Sequence, residues 1–258
     1  MAGSDGALAM NAEPHVLVIA GTDSSGGAGL SRDIETIAAH GFRSAFAVTA
    51  VTVQTHSSVS RIQPMPASLI ADQMRAALGA DDVKAVKIGM LGTDEAIAAV
   101  VSILRDRADI PVVLDPVLVS SSGRPLIAEG AIDALRHDLM PLCRLLTPNL
   151  MELAGLTGST MATDEATACR QGEELSRAAG TAVLVKGGHA AGAEAIDMLL
   201  QPGRPALRFA APRLAREMRG TGCMLSSAIA AGLALGQSLD ASVRKAKQYV
   251  LERLDCTV

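Results

Sequence analysis

The sequence predicts an α/β fold in which helices cover both faces of a mostly parallel sheet, and three observations predict it. Short β-rich runs alternate with helical patterns from one end of the chain to the other. Those runs are apolar through most of their length, as strands buried on both faces must be. The segments that follow them are rich in glycine and polar residues, which suits loops gathered at the carboxyl edge of a sheet, where such folds bind ligands. With 258 residues, 49% of them hydrophobic and 19% charged, the chain is long enough for one well-buried core.

In chain order, residues 1 to 14 are expected to be flexible and residues 15 to 258 to form one domain without linker or repeat. "HVLVIA" (15 to 20) reads as the first strand, and "GTDSSGGAG" (Gly21 to Gly29) as the turn from it into a helix. "TAVTV" is a run that ends near the ligand side of the sheet, just before Gln54. A helix over 66 to 79 leads to the strand "AVKIGM" (85 to 90), and a helix over 93 to 107 to the strand "PVVLD" (111 to 115). "CRLLTPN" (143 to 149) is the next strand, with a helix beginning at Asn149. A helix over 164 to 180 precedes the strand "TAVLVKGG" (181 to 188). The run from Arg219 to Ala234, "RGTGCMLSSAIAAGLA", reads as a glycine turn opening a buried helix, and 239 to 253 as the last helix.

Composition excludes several classes of partner. A net charge of -4 with interspersed signs gives no basic stripe, and 2% aromatic residues leave no stacking platform, so nucleic acid is not expected. No segment offers the ~18 uninterrupted apolar residues of a membrane span, so no membrane partner is expected. Residues 1 to 14 lack the features of a secretory signal, which predicts a cytoplasmic protein. The four cysteines show no C-x-x-C spacing, and disulfides are disfavoured in that compartment.

Several loops carry groups suited to chemistry. The glycine turn at 21 to 29 can present free N–H groups to an anion, yet it is neither a Walker A loop nor a G-x-G-x-x-G fingerprint, and a plain tight turn is its simpler reading. Asp23 and Asp33 flank it as hydrogen-bonding groups. Asp115 stands at the end of an apolar strand, where a buried strand delivers a carboxylate to the ligand face. Asn149 and Glu152 share one helical turn and offer the hard oxygens that Mg²⁺ prefers, or else they simply start the helix. Lys186 ends another apolar strand, where an ammonium needs an anion or a carboxylate. His189 reads as a loop residue rather than a ligand. Cys143 and Cys169 read as buried structural thiols. Cys223 differs, because Gly220, Thr221 and Gly222 precede it at a helix mouth that binds oxyanions and lowers a thiol pKa.

The motifs "IAGTDSSGGAGLSRD", "TAVTVQT", "VKIGML", "LDPVLVSSSGRPL", "TPNLMEL", "VLVKGGH" and "GTGCMLSSAIAA" occur in one order along the chain. In that order the sequence resembles the hydroxymethylpyrimidine and phosphomethylpyrimidine kinases of thiamin biosynthesis, members of the ribokinase-like superfamily. The resemblance covers about residues 15 to 250. It implies a three-layer α/β/α sandwich and transfer of the ATP γ-phosphoryl group, first to 4-amino-5-hydroxymethyl-2-methylpyrimidine and then to its monophosphate. It implies Cys223 as the catalytic base beside an anion hole of Gly220, Thr221 and Gly222. Asp115 and Glu152 would hold Mg²⁺, and Lys186 and Asn149 would serve ATP; Arg219, which the family pattern does not supply, is expected to join them there. Gly21, Ala28, Asp33, Gln54, Met90 and Val117 would bind the pyrimidine, and a homodimer is implied as well.

The chain departs from the family pattern in carrying Met218 and Arg219 for the usual Thr-His, Met224 for Thr, and no Gly-His-Gly-Pro tail. Arg219 beside the anion hole reads either as an exposed loop residue or as a phosphate clamp. A pyridoxal or pyridoxine kinase is the nearest enzymatic alternative, and a pyrimidine-phosphate binding module without turnover is the alternative from another class.

Overall fold

The computed structural model describes residues 13–120, 122–128, 130–188, 192–216 and 218–256. The elements run β1 (Pro14–Ala20), α1 (Gly29–Ala39), β2 (Arg43–Val48), β3 (Ala50–Gln54), β4 (Val59–Pro64), α2 (Ala67–Ala80), β5 (Asp82–Ile88), α3 (Asp94–Leu104) and β6 (Val112–Leu114). They continue with α4 (Ala131–Ala134), β7 (Leu145–Leu146), α5 (Leu150–Thr157), α6 (Glu165–Ala179), β8 (Ala182–Lys186), β9 (Glu194–Leu200), β10 (Leu207–Pro212), α7 (Thr221–Ala234) and α8 (Leu239–Asp255).

Eight strands form one sheet in the order β10-β9-β8-β7-β6-β5-β1-β2, and β3 and β4 pair separately as a ribbon. From β2 to β8 every neighbour is parallel, and the β8–β9 and β9–β10 pairs at one margin of the sheet are antiparallel. The period-2 alternation of the strands divides the core. Leu17 and Ile19 of β1 belong to the core on the face covered by α2, α3, α5 and α6, with residues such as Ile70, Val100, Leu153 and Leu175. Val16, Val18 and Ala20 of the same strand pack with α1, α7 and α8, through Ile37, Ile229 and Val243. That division makes the expected three layers.

Strand and helix positions follow the sequence expectations, with differences that have physical causes. The expected flexible segment falls mostly on residues 1 to 12, outside the described residues, and Pro14 already belongs to β1. Of the strand expected over 143 to 149, Leu145–Leu146 forms the continuous strand β7 and Asn149 adds an isolated parallel bridge to Lys186, with Pro148, which has no N–H, interrupting the ladder between them. The strands β2, β4, β9 and β10 are not signalled by an apolar run. Each lies at a sheet edge, in the ribbon or in the antiparallel margin, and each mixes polar residues with apolar ones.

Helix α7 is almost wholly buried, which is why it is built from small residues. A Cβ on Gly232 would stand 2.7 Å from Ser242 Oγ and 2.9 Å from Ser242 Cβ on α8. Ala at a helical position normally gains ~1 kcal/mol over Gly, so the sign of the effect reports the packing. Gly232→Ala is expected to lower stability by about 1–3 kcal/mol in urea unfolding.

Candidate functional site

The loops that leave the carboxyl ends of β1, β5 and β6 meet the mouth of α7 in a cleft. Gly21, Ala28, Gln54, Met90 and Val117, all expected to bind one small molecule, line it together with Cys223. Met90 presses on Gly21, where a Cβ would come within 3.2 Å of its Sδ. The ribbon is stitched to the glycine turn: Ser24 Oγ donates to Gln54 O and Gln54 N donates to Ser24 Oγ, each at 2.8 Å. Thr52 Oγ1 likewise donates to Thr22 O at 2.8 Å. These bonds fix the backbone of Gln54 at the rim of the cleft.

Asp33 does not join the others in the lining. It lies fully buried beneath the cleft, 2.8 Å from the equally buried Lys87 Nζ, and Ser227 Oγ donates to it at 2.8 Å. Lys87 does line the cleft, and sequence reasoning had not singled it out. The available signal was a lysine inside the otherwise apolar "AVKIGM". Burial alone would lower the Lys87 pKa, but Asp33, Cys223 and Asp115 around it outweigh burial and hold it above the ordinary lysine value.

Cys223 is the third residue of α7, whose cap Gly220 has φ +76°. A Cβ on Gly220 would stand 2.5 Å from Gly27 O, so the glycine turn can meet the helix mouth only because position 220 lacks a side chain. The first bond inside the helix runs from Met224 N to Gly220 O. The N–H groups of Thr221, Gly222 and Cys223 therefore lack helical partners and can receive an anion. The thiol itself departs from expectation. Burial pushes Cys223 up to about 11, against the lowering effects of Lys87 and the Gly29 N–H, so the resting group is a thiol.

A second polar group sits on the other side of the same helix mouth. Lys186 Nζ stands 2.6 Å from Asp115 Oδ1 and 3.8 Å from Glu152 Oε2, and Thr147 Oγ1 donates to Asp115 Oδ1 at 3.2 Å. A Cβ on Gly222 would reach Lys186 Nζ at 3.1 Å, so helix and lysine are in close contact. Asn149 and Glu152 form a reciprocal cap of α5: Glu152 N donates to Asn149 Oδ1 and Asn149 N donates to Glu152 Oε2, both at 2.8 Å. The simpler reading of these residues, a helix start, is thus part of the answer. Burial pushes the Glu152 carboxyl up to about 7, with Asp115 adding to the rise and Lys186 opposing it. For Asp115, burial is outweighed by Lys186 and Lys87, and its pKa is lowered.

Arg219 precedes Gly220 and folds back over the glycine turn, with Nη2 3.1 Å from Asp23 Oδ2 and the side chain largely covered. His189 lies outside the described residues. Cys143 is buried as expected, with its Sγ donating to Leu139 O, whereas Cys169 is only half-buried.

Comparison with known proteins finds that the family model described as phosphomethylpyrimidine kinase matches residues 23–258. A hydroxymethylpyrimidine/phosphomethylpyrimidine kinase of Rhizobium meliloti is 45% identical over 235 residues, covering 91% of this chain and 88% of that protein. The crystal structure of phosphomethylpyrimidine kinase from Clostridium difficile superposes with TM-score 0.79 at 33% identity, covering 93% of this chain and 99% of that one. The pyridoxal kinase from Staphylococcus aureus, solved with AMP-PCP and pyridoxal, superposes with TM-score 0.84 at 26% identity, covering 94% of this chain and 88% of that one.

The buried pair beneath the cleft yields a stability prediction. Lys87→Met strands the Asp33 carboxylate in the core and is expected to cost about 3–5 kcal/mol in urea unfolding. The double variant Lys87→Met/Asp33→Leu, which removes both charges, should recover most of that loss.

Proposed function

We propose, for a chain that belongs to the phosphomethylpyrimidine kinase family and is therefore a phosphotransferase, that it carries the γ-phosphoryl group of ATP to 4-amino-5-hydroxymethyl-2-methylpyrimidine and then to the monophosphate, in thiamin biosynthesis. The observation that carries this reading is the convergence of two groups on the mouth of α7: the cleft with Gln54, Met90 and Val117 on one side, and Lys186, Asp115 and Glu152 on the other. One side suits a small flat acceptor and the other a charged donor. The identity of 45% to a kinase of this name, against 26% to the pyridoxal kinase, favours the pyrimidine over pyridoxal. The presence of Cys223, Asp115, Glu152 and Lys186 together favours turnover over a binding module.

In this reading the ring lies against Met90 and Val117, and the Gln54 amide meets the aminopyrimidine edge with both a donor and an acceptor. Gly21 and Ala28 give close backbone approach. Cys223 takes the hydroxyl proton as the new O–P bond forms, while the backbone of the expected anion hole, Gly220, Thr221 and Gly222, holds the oxygens of the transferring group through the free N–H groups at the mouth of α7. Because the transition state is loose, positioning and charge neutralisation supply most of the acceleration and the base acts late. A thiol of high pKa is compatible with that demand. The Lys87 ammonium steadies negative charge as it develops on sulfur.

The residues present fit a divalent cation. Asp115 and Glu152 are two buried carboxyl groups on either side of the Lys186 ammonium, and Asp115 Oδ2 faces the mouth of α7, 3.6 Å from where a Cβ on Gly222 would stand. Mg²⁺ needs only one or two protein carboxylates when phosphates and water complete its shell, so the lack of any larger His, Cys, Asp and Glu cluster among the described residues is no obstacle. Bound there, it supplies charge neutralisation at the nucleotide phosphates, with Asn149 beside it through its pairing with Glu152.

Among the described residues no helix is long and apolar enough to cross a membrane. A cytoplasmic site of action is part of the proposal, as is a homodimer. Phe46, Val51, Val53 and Leu69 are exposed on β2, β3 and α2, and a second copy is the partner that would cover them. Val51→Asp/Val53→Asp is expected to convert a dimer to a monomer in light scattering, and a monomeric parent protein would overturn this part.

The activity is tested by incubating the protein with ATP and, separately, the free pyrimidine, its monophosphate and pyridoxine, with products resolved by mass. Both pyrimidines should be phosphorylated, and a preference for pyridoxine would overturn the reading. Since a base must be deprotonated and this thiol sits at about 11, kcat/KM for the free alcohol should rise about tenfold per pH unit between roughly pH 7.5 and 9.5. Cys223→Ala should lower kcat by roughly 10² and abolish that slope.

A further inference from the structure

Arg219 is bound on one edge and under-used on the other. Its Nη1 donates to Ser25 Oγ at 2.8 Å and to Thr55 O at 3.2 Å, so it joins the mouth of α7 to the glycine turn and to the end of the ribbon. A guanidinium has five N–H donors, and its Nε and Nη2 edge can grip an oxyanion side-on through two parallel bonds. Here Nε is buried without a hydrogen-bond partner, and Nη2 has only the ion-pair contact to Asp23 Oδ2 at 3.1 Å. Asp23 mirrors this state. Its Oδ1 accepts from Ser25 N at 2.9 Å and from Ser25 Oγ at 2.7 Å, while the buried Oδ2 makes no hydrogen bond.

Location decides what such an edge serves. Arg219 and Asp23 both line the cleft that contains Gln54 and Met90, whereas Lys186, Asp115 and Glu152 form the separate cluster across the helix mouth. Arg219 is also the residue immediately before the cap Gly220, so its side chain begins beside the free N–H groups where phosphoryl transfer takes place. A neutral alcohol brings no charge there, and the Asp23 carboxylate balances the guanidinium. A phosphorylated acceptor brings a dianion that is a stronger partner than one carboxylate oxygen.

We propose that the Nε and Nη2 edge of Arg219, with the Ser25 hydroxyl, is the subsite for the phosphate of the phosphorylated pyrimidine, and that Asp23 is the internal counter-ion which this phosphate displaces. The inference rests on the proposed function and adds to it a division of labour. In the first transfer the alcohol oxygen attacks the γ-phosphorus, its proton passes to the thiolate of Cys223, and the bond to the bridging oxygen of ADP breaks. In the second transfer an already ionised phosphate oxygen attacks, so there is no proton for a base to remove, and ADP leaves in the same way. The first step therefore leans on Cys223 and the second on Arg219.

The test compares the parent protein with Arg219→Ala, Arg219→Lys and Asp23→Asn. Affinity for the free pyrimidine and for its monophosphate is measured by calorimetry without nucleotide, and kcat/KM for each with ATP. Arg219→Ala should weaken the monophosphate relative to the free alcohol by about 10-fold or more. Arg219→Lys should restore only part of that ratio, because an ammonium lacks the fork. Asp23→Asn, which keeps the acceptor for Ser25 but removes the competing charge, should tighten the monophosphate relative to the alcohol. Cys223→Ala should move the ratio of the two kcat/KM values in the opposite direction to Arg219→Ala. Equal weakening of both ligands, or of neither, in Arg219→Ala overturns the subsite, and should that variant fail to fold, an unchanged ratio in both Arg219→Lys and Asp23→Asn does the same. If the parent protein phosphorylates neither pyrimidine, the proposed function itself falls, an outcome distinct from a parent that phosphorylates both while its variants show no change in ratio.

Discussion

The buried ion pair of Lys87 and Asp33 is the constraint on which the rest of the site depends. Both side chains are withdrawn from water, and such a pair persists only where its geometry is good and its remaining atoms are hydrogen-bonded. Those conditions are met by three elements at once: β5 supplies the lysine, α1 the aspartate and α7 the Ser227 hydroxyl. The pair thereby sets the rotation of α7. Cys223 is one turn before Ser227, on the same face of the helix, so the bond that holds Ser227 down also turns the thiol towards Lys87 and the cleft.

Around that anchor, the site is assembled by close approach. The glycine turn reaches the helix mouth because a side chain at Gly220 would strike Gly27 O and one at Gly29 would strike Gly21 O. Gly222 lets Lys186 come up against the first turn of α7 from the other side. The helix mouth is thus held between two lysine–carboxylate groups, Lys87 with Asp33 and Lys186 with Asp115. Its free N–H groups add the positive end of a helix dipole to this arrangement, a setting in which phosphate charge is stabilised without side-chain rearrangement.

The electrostatics also explain why a cysteine at a helix mouth is not a resting thiolate here. The helix end and the nearby Lys87 both favour negative sulfur, but burial is the larger effect, and Asp33 and Asp115 work in the same direction as burial. Such a group suits a reaction that needs a proton acceptor late in the transfer. Arg219 shows the complementary case. Its guanidinium lines the cleft beside the Asp23 carboxylate, so the pocket carries a compensated cation.

Much of this was legible in the sequence, for definite reasons. Strands buried on both faces must be apolar, so "HVLVIA", "AVKIGM", "PVVLD" and "TAVLVKGG" could be read directly, and their shared carboxyl edge predicted which loops would meet. The glycines of "GTDSSGGAG" and "RGTGC" signalled the turns, and the ordered motifs pointed to the family that the comparisons found. The edge strands β2 and β10, the antiparallel strand β9 beside β10 and the ribbon strand β4 were not legible, because each mixes polar and apolar residues and takes its register from its neighbours. Whether Asp33 lined the cleft or lay beneath it could not be read either, since a carboxylate on a helix looks the same in sequence whether it meets a ligand or a lysine 54 positions away. Residue types and spacing determined the fold, the loops and the chemical groups available. Only the tertiary structure decided that Lys87 would lie under the thiol, that burial would hold Cys223 protonated, and that Arg219 would turn towards Asp23, because each depends on charges and surfaces brought together by folding from distant parts of the chain.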